Sequence, residues 1–251
     1  MKKPLTALNI LSNSVLITIL MGFLMPVYAA KYKEISVSNG GQIKGSINFG
    51  GKDTAPIQYK VAKDVESCGS ENHIIDYVKV NNGKLSDVVV YLDKVKTGKS
   101  FPAIKGKVDQ KGCKFTPFIQ VMSNNAEFEA INSDPILHNV HTYEMMGKAK
   151  KTIINISQPK QHTSTKTKVR LRRGAAMKLE CDAHEFMHGF IFVAKNPYYA
   201  IVDDNGNFTI EDIPAGQYQI KAWHGTLGEK KAKINVTPGS LTSINFEFEG
   251  K

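Results

Sequence analysis

Apolar residues in this chain recur at every second position over short runs, and Gly, Asn, Asp or Pro ends each run within a few residues. No segment sustains the 3.6-residue period of an amphipathic helix. A period of two places alternate side chains on opposite faces of a strand, so each run reads as a strand with one face buried. The strands expected on this basis are 43–49, 88–92, 118–122, 127–131, 169–171, 176–181, 190–193, 208–210, 218–223, 231–236 and 243–248. Asp203-Asp204-Asn205-Gly206 and Pro214-Ala215-Gly216 supply turn chemistry between the later ones. Short strands punctuated in this way make an all-β chain of sandwich type, and 251 residues give room for one large or two ordinary domains.

The first residues read as a secretory leader, residues 1–29. Lys2 and Lys3 precede an apolar run from Val15 to Met25, and the small residues of Val27-Tyr28-Ala29 suit cleavage after Ala29. The run is shorter than the ~20 apolar residues a membrane span needs; an uncleaved anchor is the alternative. Export, in a bacterial cell to the periplasm, would place the mature chain where disulfides persist. The formal charge of +10 falls to about +8 once the two leader lysines are removed. Part of the excess lies on Lys166, Lys168, Arg170 and Arg172, which alternate with Thr167, Val169 and Leu171 as a strand with a basic outer face. That face is either simply solvated or meets an acidic partner or an anionic membrane. Basic residues are not interleaved with aromatics, and an exported chain does not meet nucleic acid.

Cys181-Asp182-Ala183-His184-Glu185-Phe186-Met187, together with His138, offers a thiolate, two imidazoles and a thioether. A trigonal His₂Cys plane with a long, weak bond to Met serves both oxidation states of copper. Met177, Leu179 and Cys181 share one apolar strand face, which would carry the thiol into a dry interior. The two-residue spacer then turns His184 back toward the same point, with Met187 three residues further on. Asn132, Asp134 and Pro135 form a turn that fixes His138 from a second loop. Zinc gains little from a thioether, and a structural zinc site closes with four strong ligands. A binuclear copper centre needs a second Cys in the 182–190 loop, and a multicopper oxidase needs His-x-His pairs; the sequence has neither. The chain has three cysteines. With Cys181 a ligand, Cys68 and Cys113 are left as a disulfide pair, two buried free thiols being the alternative. His73, His141, His162, Met145-Met146 and Trp223-His224 carry no comparable pattern. Cys181 lacks an orienting carboxylate and an oxyanion hole for nucleophilic work, so no enzyme is expected.

The stretch from about 106 to 195, with His138-Asn139-Val140-His141 and Cys181-x-x-His184-x-x-Met187-x-Gly189 ahead of Phe190-Ile191-Phe192-Val193, resembles a cupredoxin of the amicyanin type. The resemblance implies a Greek-key β-sandwich holding one type 1 copper ion on His138, Cys181, His184 and Met187. It further implies that the Asn139 backbone N–H bonds the Cys181 sulfur, and that the His184 ring edge reaches the surface inside an apolar patch and passes the electron there. Residues 200–220, with Asp204-x-Gly206-x-Phe208 and Pro214-x-Gly216-x-Tyr218, resemble a carboxypeptidase regulatory-like domain, a prealbumin or transthyretin-type sandwich. Gly41-x-x-x-Gly45 and the strand 87–92 look like its first half. These resemblances imply a discontinuous sandwich, 31–105 plus 196–251, with the copper domain 106–195 inserted in it; two sandwiches packed side by side are the alternative. The expected function is one-electron transport between redox proteins, a cytochrome or a dehydrogenase. Copper buffering or delivery without electron transfer is the second reading.

Overall fold

A computed structural model describes residues 32–52 and 54–250 of the protein. The leader expected over 1–29 lies outside the described residues. The fold is all-β: strands carry nearly all the regular structure, and the helical turn Val65–Cys68 is the single helix among the described residues. No described helix is long and apolar enough to cross a membrane.

Two sheets take their strands from both ends of the chain. In one, Gly41–Gly50 pairs antiparallel with Asn207–Ile213 and parallel with Leu241–Ser243 and Phe246–Glu249. Lys84–Leu85 and Val80–Asn81 extend that sheet. In the other, Tyr199–Ile201, Val88–Asp93, Gly216–His224 and Gly228–Val236 lie side by side, all antiparallel. Ile43, Ile47, Leu85, Val90, Leu92, Phe208, Ile220 and Phe248 fill the space between them. The turn before Asn207–Ile213 closes as its residues require: the Gly206 N–H donates to the Asp203 carbonyl at 2.9 Å, and Gly206 has φ 76°. A Cβ there would meet the Ile47 carbonyl at 2.9 Å, so only glycine fits.

The intervening chain builds two further sheets. Phe115–Thr116, Gly106–Gln110, Glu127–Asn132 and Thr163–Lys168 make one; Ile119–Ser123, His188–Ala194, Ala176–Glu180, His138–Met146 and Ala149–Gln158 make the other. Val108, Met122, Phe128, Val140, Leu179, Ile191 and Val193 pack between them. Two strands are apolar on both faces because both faces are covered. Val88, Val90 and Leu92 point into the first core while Val89 and Tyr91 point away from it; Ile191 and Val193 point into the second core while Phe190 and Phe192 point away. The outward-facing side chains meet each other and Trp223 in a third cluster, which explains why these runs read as continuous apolar stretches.

One expectation needs correction, and one element was not foreseen. The basic run does not continue as a strand through Leu171: pairing ends at Lys168, opposite Glu127. The alternation itself persists, since Val169 and Leu171 are buried and Lys166, Lys168, Arg170 and Arg172 are exposed. The chain leaves the sheet there because the Glu144 carboxylate claims the backbone N–H groups of Arg172, Arg173 and Gly174 at 3.1, 2.7 and 2.7 Å. The long hairpin His138–Met146/Ala149–Gln158 was not expected from the sequence. Its two-residue turn contains Gly147 at φ 65°, and lysines on its outer side break the apolar alternation.

One excursion does not stay with its sheet. Between Gly50 and Val80 the chain forms the small hairpin Ile57–Tyr59/His73–Ile75 and the turn Val65–Cys68. Val61 and Cys68 belong to the core of the intervening sheets, and Tyr59 and Ile75 pack against it. A Cys68–Cys113 disulfide joins the excursion to those sheets, as the cysteine arithmetic anticipated.

Candidate metal centre

His138 opens the strand His138–Met146, and the loop before it is held from inside. Buried Asn132 donates through Nδ2 to the Ile136 carbonyl at 2.8 Å and the Gln158 carbonyl at 2.9 Å, and its Oδ1 accepts the Asp134 N–H at 3.0 Å. Gln158 in turn accepts from Gln110 Nε2 at 2.6 Å. This side-chain network fixes where His138 starts. Cys181 follows directly on the strand Ala176–Glu180, and the expected apolar face is present: Met177, Leu179 and Cys181 are all buried.

His138, Cys181 and His184 come together, all buried, with one donor atom from each within 4.8 Å of the others. The two imidazoles face each other through Nδ1 at 3.1 Å, and the Cys181 sulfur is 3.8 Å from His184 Nδ1. The Asn139 N–H points to the same sulfur at 3.5 Å. Met187 is buried on the same loop, and its N–H donates to the His184 carbonyl at 3.0 Å.

Both histidines are held by their outer nitrogens. His138 Nε2 lies 2.9 Å from Asp134 Oδ2, and His184 Nε2 lies 2.9 Å from Asp64 Oδ2. A carboxylate only accepts, so each ring presents N–H on the outside and leaves its Nδ1 lone pair facing inward. Two such lone pairs and the Cys181 sulfur then converge with no donor but the thiol's own weak S–H, an arrangement that suits a cation. Bonds of ~2.0–2.3 Å from one ion to imidazole nitrogen and thiolate sulfur would space three donors roughly 3.5–4 Å apart, close to what these side chains adopt. The donor set fits a soft or borderline transition metal.

The electrostatics agree. Burial pushes the Cys181 thiol up, but the adjoining His138 and His184 rings and the Asn139 and Ala183 N–H groups outweigh it and bring the pKa down to about 6. The neighbouring sulfur raises His184, burial opposes that, and Asp64 adds to the rise. Asp134 is disfavoured by burial, yet the N–H groups of Cys113 and Gly112 and the His138 ring hold its pKa below the usual carboxylate value. Cys113 also lies near Asp134 and His138, but its sulfur is spent in the disulfide and is no ligand.

The expected exposed ring edge is absent. His184 is 2 % exposed and Phe186 4 %. The excursion from the other sheets covers both: Asp64 bonds His184, and the His73 ring lies tilted against Phe186, centroids 4.3 Å apart. The apolar side chains that meet water there belong to the cover itself, Ile57, Val65 and Ile74. His141 points away from the site, toward Asp182 Oδ1 at 3.0 Å, and stacks on Tyr143. Asp64 escaped the sequence reading because its partner lies 120 residues away; its place four residues before Cys68 was the one available hint.

A model of the polysaccharide lyase family 4, domain II, matches residues 193–244, rather than one of a carboxypeptidase regulatory-like domain. No curated protein matches the chain. Among solved structures, the chain is similar over 38 % of its length to the copper-containing nitrite reductase of Thermus scotoductus SA-01, at 15 % identity and TM-score 0.30, spanning 24 % of that protein. It is similar over 38 % to amicyanin from Paracoccus versutus, at 17 % identity and TM-score 0.29, spanning 86 % of that chain. Auracyanin from Roseiflexus castenholzii is similar over the same share, at 10 % identity and TM-score 0.31, spanning 99 % of its chain.

Proposed function

We propose that the protein is a type 1 copper protein that carries single electrons between redox proteins and catalyses no reaction of its own. The observation that carries this reading is the convergence of the His138 and His184 Nδ1 atoms with the Cys181 sulfur, both rings held from outside by carboxylates. Copper, when bound, supplies a one-electron couple. His138, Cys181 and His184 would hold it, with Met187 as the weak fourth donor. The chain's own contribution is rigidity: Asp134 and Asp64 fix the ring orientations, and the Asn139 N–H bonds the sulfur. Buried, cross-braced donors cannot relax far, which keeps one geometry acceptable to both oxidation states. The same burial argues against a delivery protein, whose ligands have to release the ion to a recipient.

On this reading the sheets 41–93 and 199–249 form the discontinuous domain 31–105 plus 196–251, and the copper domain occupies 106–195. The working place is the periplasm, the partner a cytochrome or dehydrogenase. Such a partner would approach over the covering excursion rather than at the His184 ring. The test is spectroscopic. Protein loaded with Cu(II) should show intense thiolate charge-transfer absorption, and Cys181→Ser should abolish it while the circular dichroism stays that of the native fold. Met187→Leu should keep the colour and raise the reduction potential, because losing a weak axial donor disfavours Cu(II). A wild-type protein that binds Cu(II) and remains colourless overturns the proposal.

A further inference from the structure

We propose that the turn Asp64–Cys68 is a fastened cap on the centre, and that Asp64 is a positioning residue which locks His184 and seals the ligand loop from solvent. The inference rests on the copper reading for its purpose, but not for its geometry.

Asp64 occupies the residue that begins the short turn Val65–Cys68, where an aspartate ordinarily turns its carboxylate back to cap the first N–H groups. It makes no such bond. Its Oδ2 instead reaches His184 Nε2 at 2.9 Å. Its backbone is left-handed, φ 52° and ψ 36°, a region that residues other than glycine seldom enter. An aspartate that gives up its local bond and adopts a disfavoured backbone is held there by something else, and the turn shows what. The N–H groups of Ser67 and Cys68 close on the Asp64 carbonyl at 2.9 and 2.8 Å. The Cys68 sulfur is bonded to Cys113, and the Cys68 carbonyl accepts from His73 Nε2 at 2.9 Å. His73 then lies against Phe186 of the ligand loop. The cap therefore grips the loop at two points, His184 and Phe186, while the disulfide supplies the anchor.

The far end of that anchor reaches the other ligand. The Cys113 N–H donates to Asp134 Oδ2 at 2.8 Å, the same oxygen that holds His138. One disulfide thus ties together the two carboxylates that orient the two imidazoles. Opening it should loosen both rings, and the His184 side most, because the disulfide is the one covalent tie between the Asp64 turn and the copper-bearing sheets.

The experiment uses the full chain free of metal, so that a failure of the copper reading leaves it interpretable. Cys181 is the sole free thiol. Its reaction with an aromatic disulfide reagent should be slow in the native wild type. It should rise roughly tenfold or more in Asp64→Ala, the factor expected when closure loses one charge-assisted hydrogen bond. Asp64→Asn, which keeps an acceptor oxygen but not its charge, should fall between wild type and Asp64→Ala. The double variant Cys68→Ser/Cys113→Ser, which leaves Cys181 the only thiol, should exceed Asp64→Ala. In parallel, the His184 Nε2–H should be visible by NMR and slow to exchange in the wild type and lost in Asp64→Ala, with an unchanged circular dichroism spectrum. Equal thiol reactivity in wild type, Asp64→Ala and the double variant would overturn the cap, as would a freely exchanging His184 Nε2–H in the wild type. Colour with Cu(II) is scored separately and bears only on the copper reading.

Discussion

Mild acid should destabilise the sandwich built from the chain ends, and His224 is where the effect should originate. The ring is 2 % exposed, at the end of the strand Gly216–His224. Its Nδ1 accepts the N–H groups of Thr226 and Leu227 at 3.2 and 3.1 Å, so the single ring proton sits on Nε2. A second proton would have to displace both donors and charge a buried ring. Burial accordingly lowers the pKa to about 4, from an ordinary value of 6.5, against a small opposing pull from Asp87. The sign follows directly. Between pH 6.5 and 4 the unfolded chain takes up a proton that the folded one refuses, so stability is complete above pH 6.5 and drains away as pH falls through that window. The gap of about 2.5 pH units corresponds to about 3 kcal/mol in total, of which about 2 kcal/mol is gone by pH 5. The assay has a built-in probe, because Trp223 is the chain's only tryptophan and the ring's neighbour. Denaturant melts followed by its fluorescence at pH 7, 6 and 5 should be compared between wild type and His224→Asn, whose Oδ1 takes the place of Nδ1 as acceptor without titrating. The variant will be weaker throughout for want of the ring's packing, so the slopes decide. His188, also held near 4 by burial, contributes equally to both proteins and cancels. Slopes that coincide between pH 7 and 5 would refute the argument.

Replacing Cys68 and Cys113 together by alanine should lower stability by about 4 kcal/mol, the loop-entropy figure for a sequence separation of 45, and chemical denaturation showing a loss under about 1 kcal/mol would count against the bridge as a structural brace. Glu144→Ala should cost about 2–3 kcal/mol, because it strips the acceptor from three backbone N–H groups at once, while Glu144→Gln should keep part of that; melting curves distinguish the two. Reversing Lys168 and Arg170 to glutamate should slow association with an acidic redox protein and flatten the dependence of that rate on salt, measured by stopped flow. Lys166 matters less there, since it already lies 3.9 Å from the Glu127 carboxylate.

What the sequence disclosed was local. The strand Ala176–Glu180 was legible because Met177, Leu179 and Cys181 alternate with Lys178 and Glu180, and period two leaves no second interpretation. The meeting of His138, Cys181 and His184 was legible because the loop after Cys181 is short and the types of donor are so restricted. The bond from the Asn139 N–H to the sulfur was anticipated as well. The hairpin His138–Met146/Ala149–Gln158 was hidden, because its edge strand bears Lys150 and Lys151 on solvent positions and carries little apolar alternation. The burial of His184 was hidden more deeply. Nothing in residues 181–187 encodes a cover that comes from residues 57–75, and a carboxylate such as Asp64 has the same appearance in a sequence whether it faces water or an imidazole.

That cover also explains why the excursion between Gly50 and Val80 is worth its length. Its two ends cannot drift apart, because Asn48 and Lys84 are partners in one sheet, so the chain between them is a closed loop anchored on the sandwich of the chain ends. A disulfide from the loop's middle to Cys113 then makes it a strut between that sandwich and the ligand-bearing sheets. The back-to-back cluster of Tyr91, Phe190, Phe192 and Trp223 joins the same two bodies on another side. With two separate attachments neither body can rock against the other without stretching one of them, and the Asp64–His184 distance inherits that constraint. An isolated domain cut at 106–195 would keep Cys181, His138, His184 and Met187, and would keep Asp134, but it would lose Asp64 and the partner of Cys113. Its His184 ring would face water, and by the reasoning above its Cys181 should react as freely as in the Cys68→Ser/Cys113→Ser chain. The second sandwich is on this view part of the site: it supplies the acceptor for one imidazole and the wall that keeps solvent out.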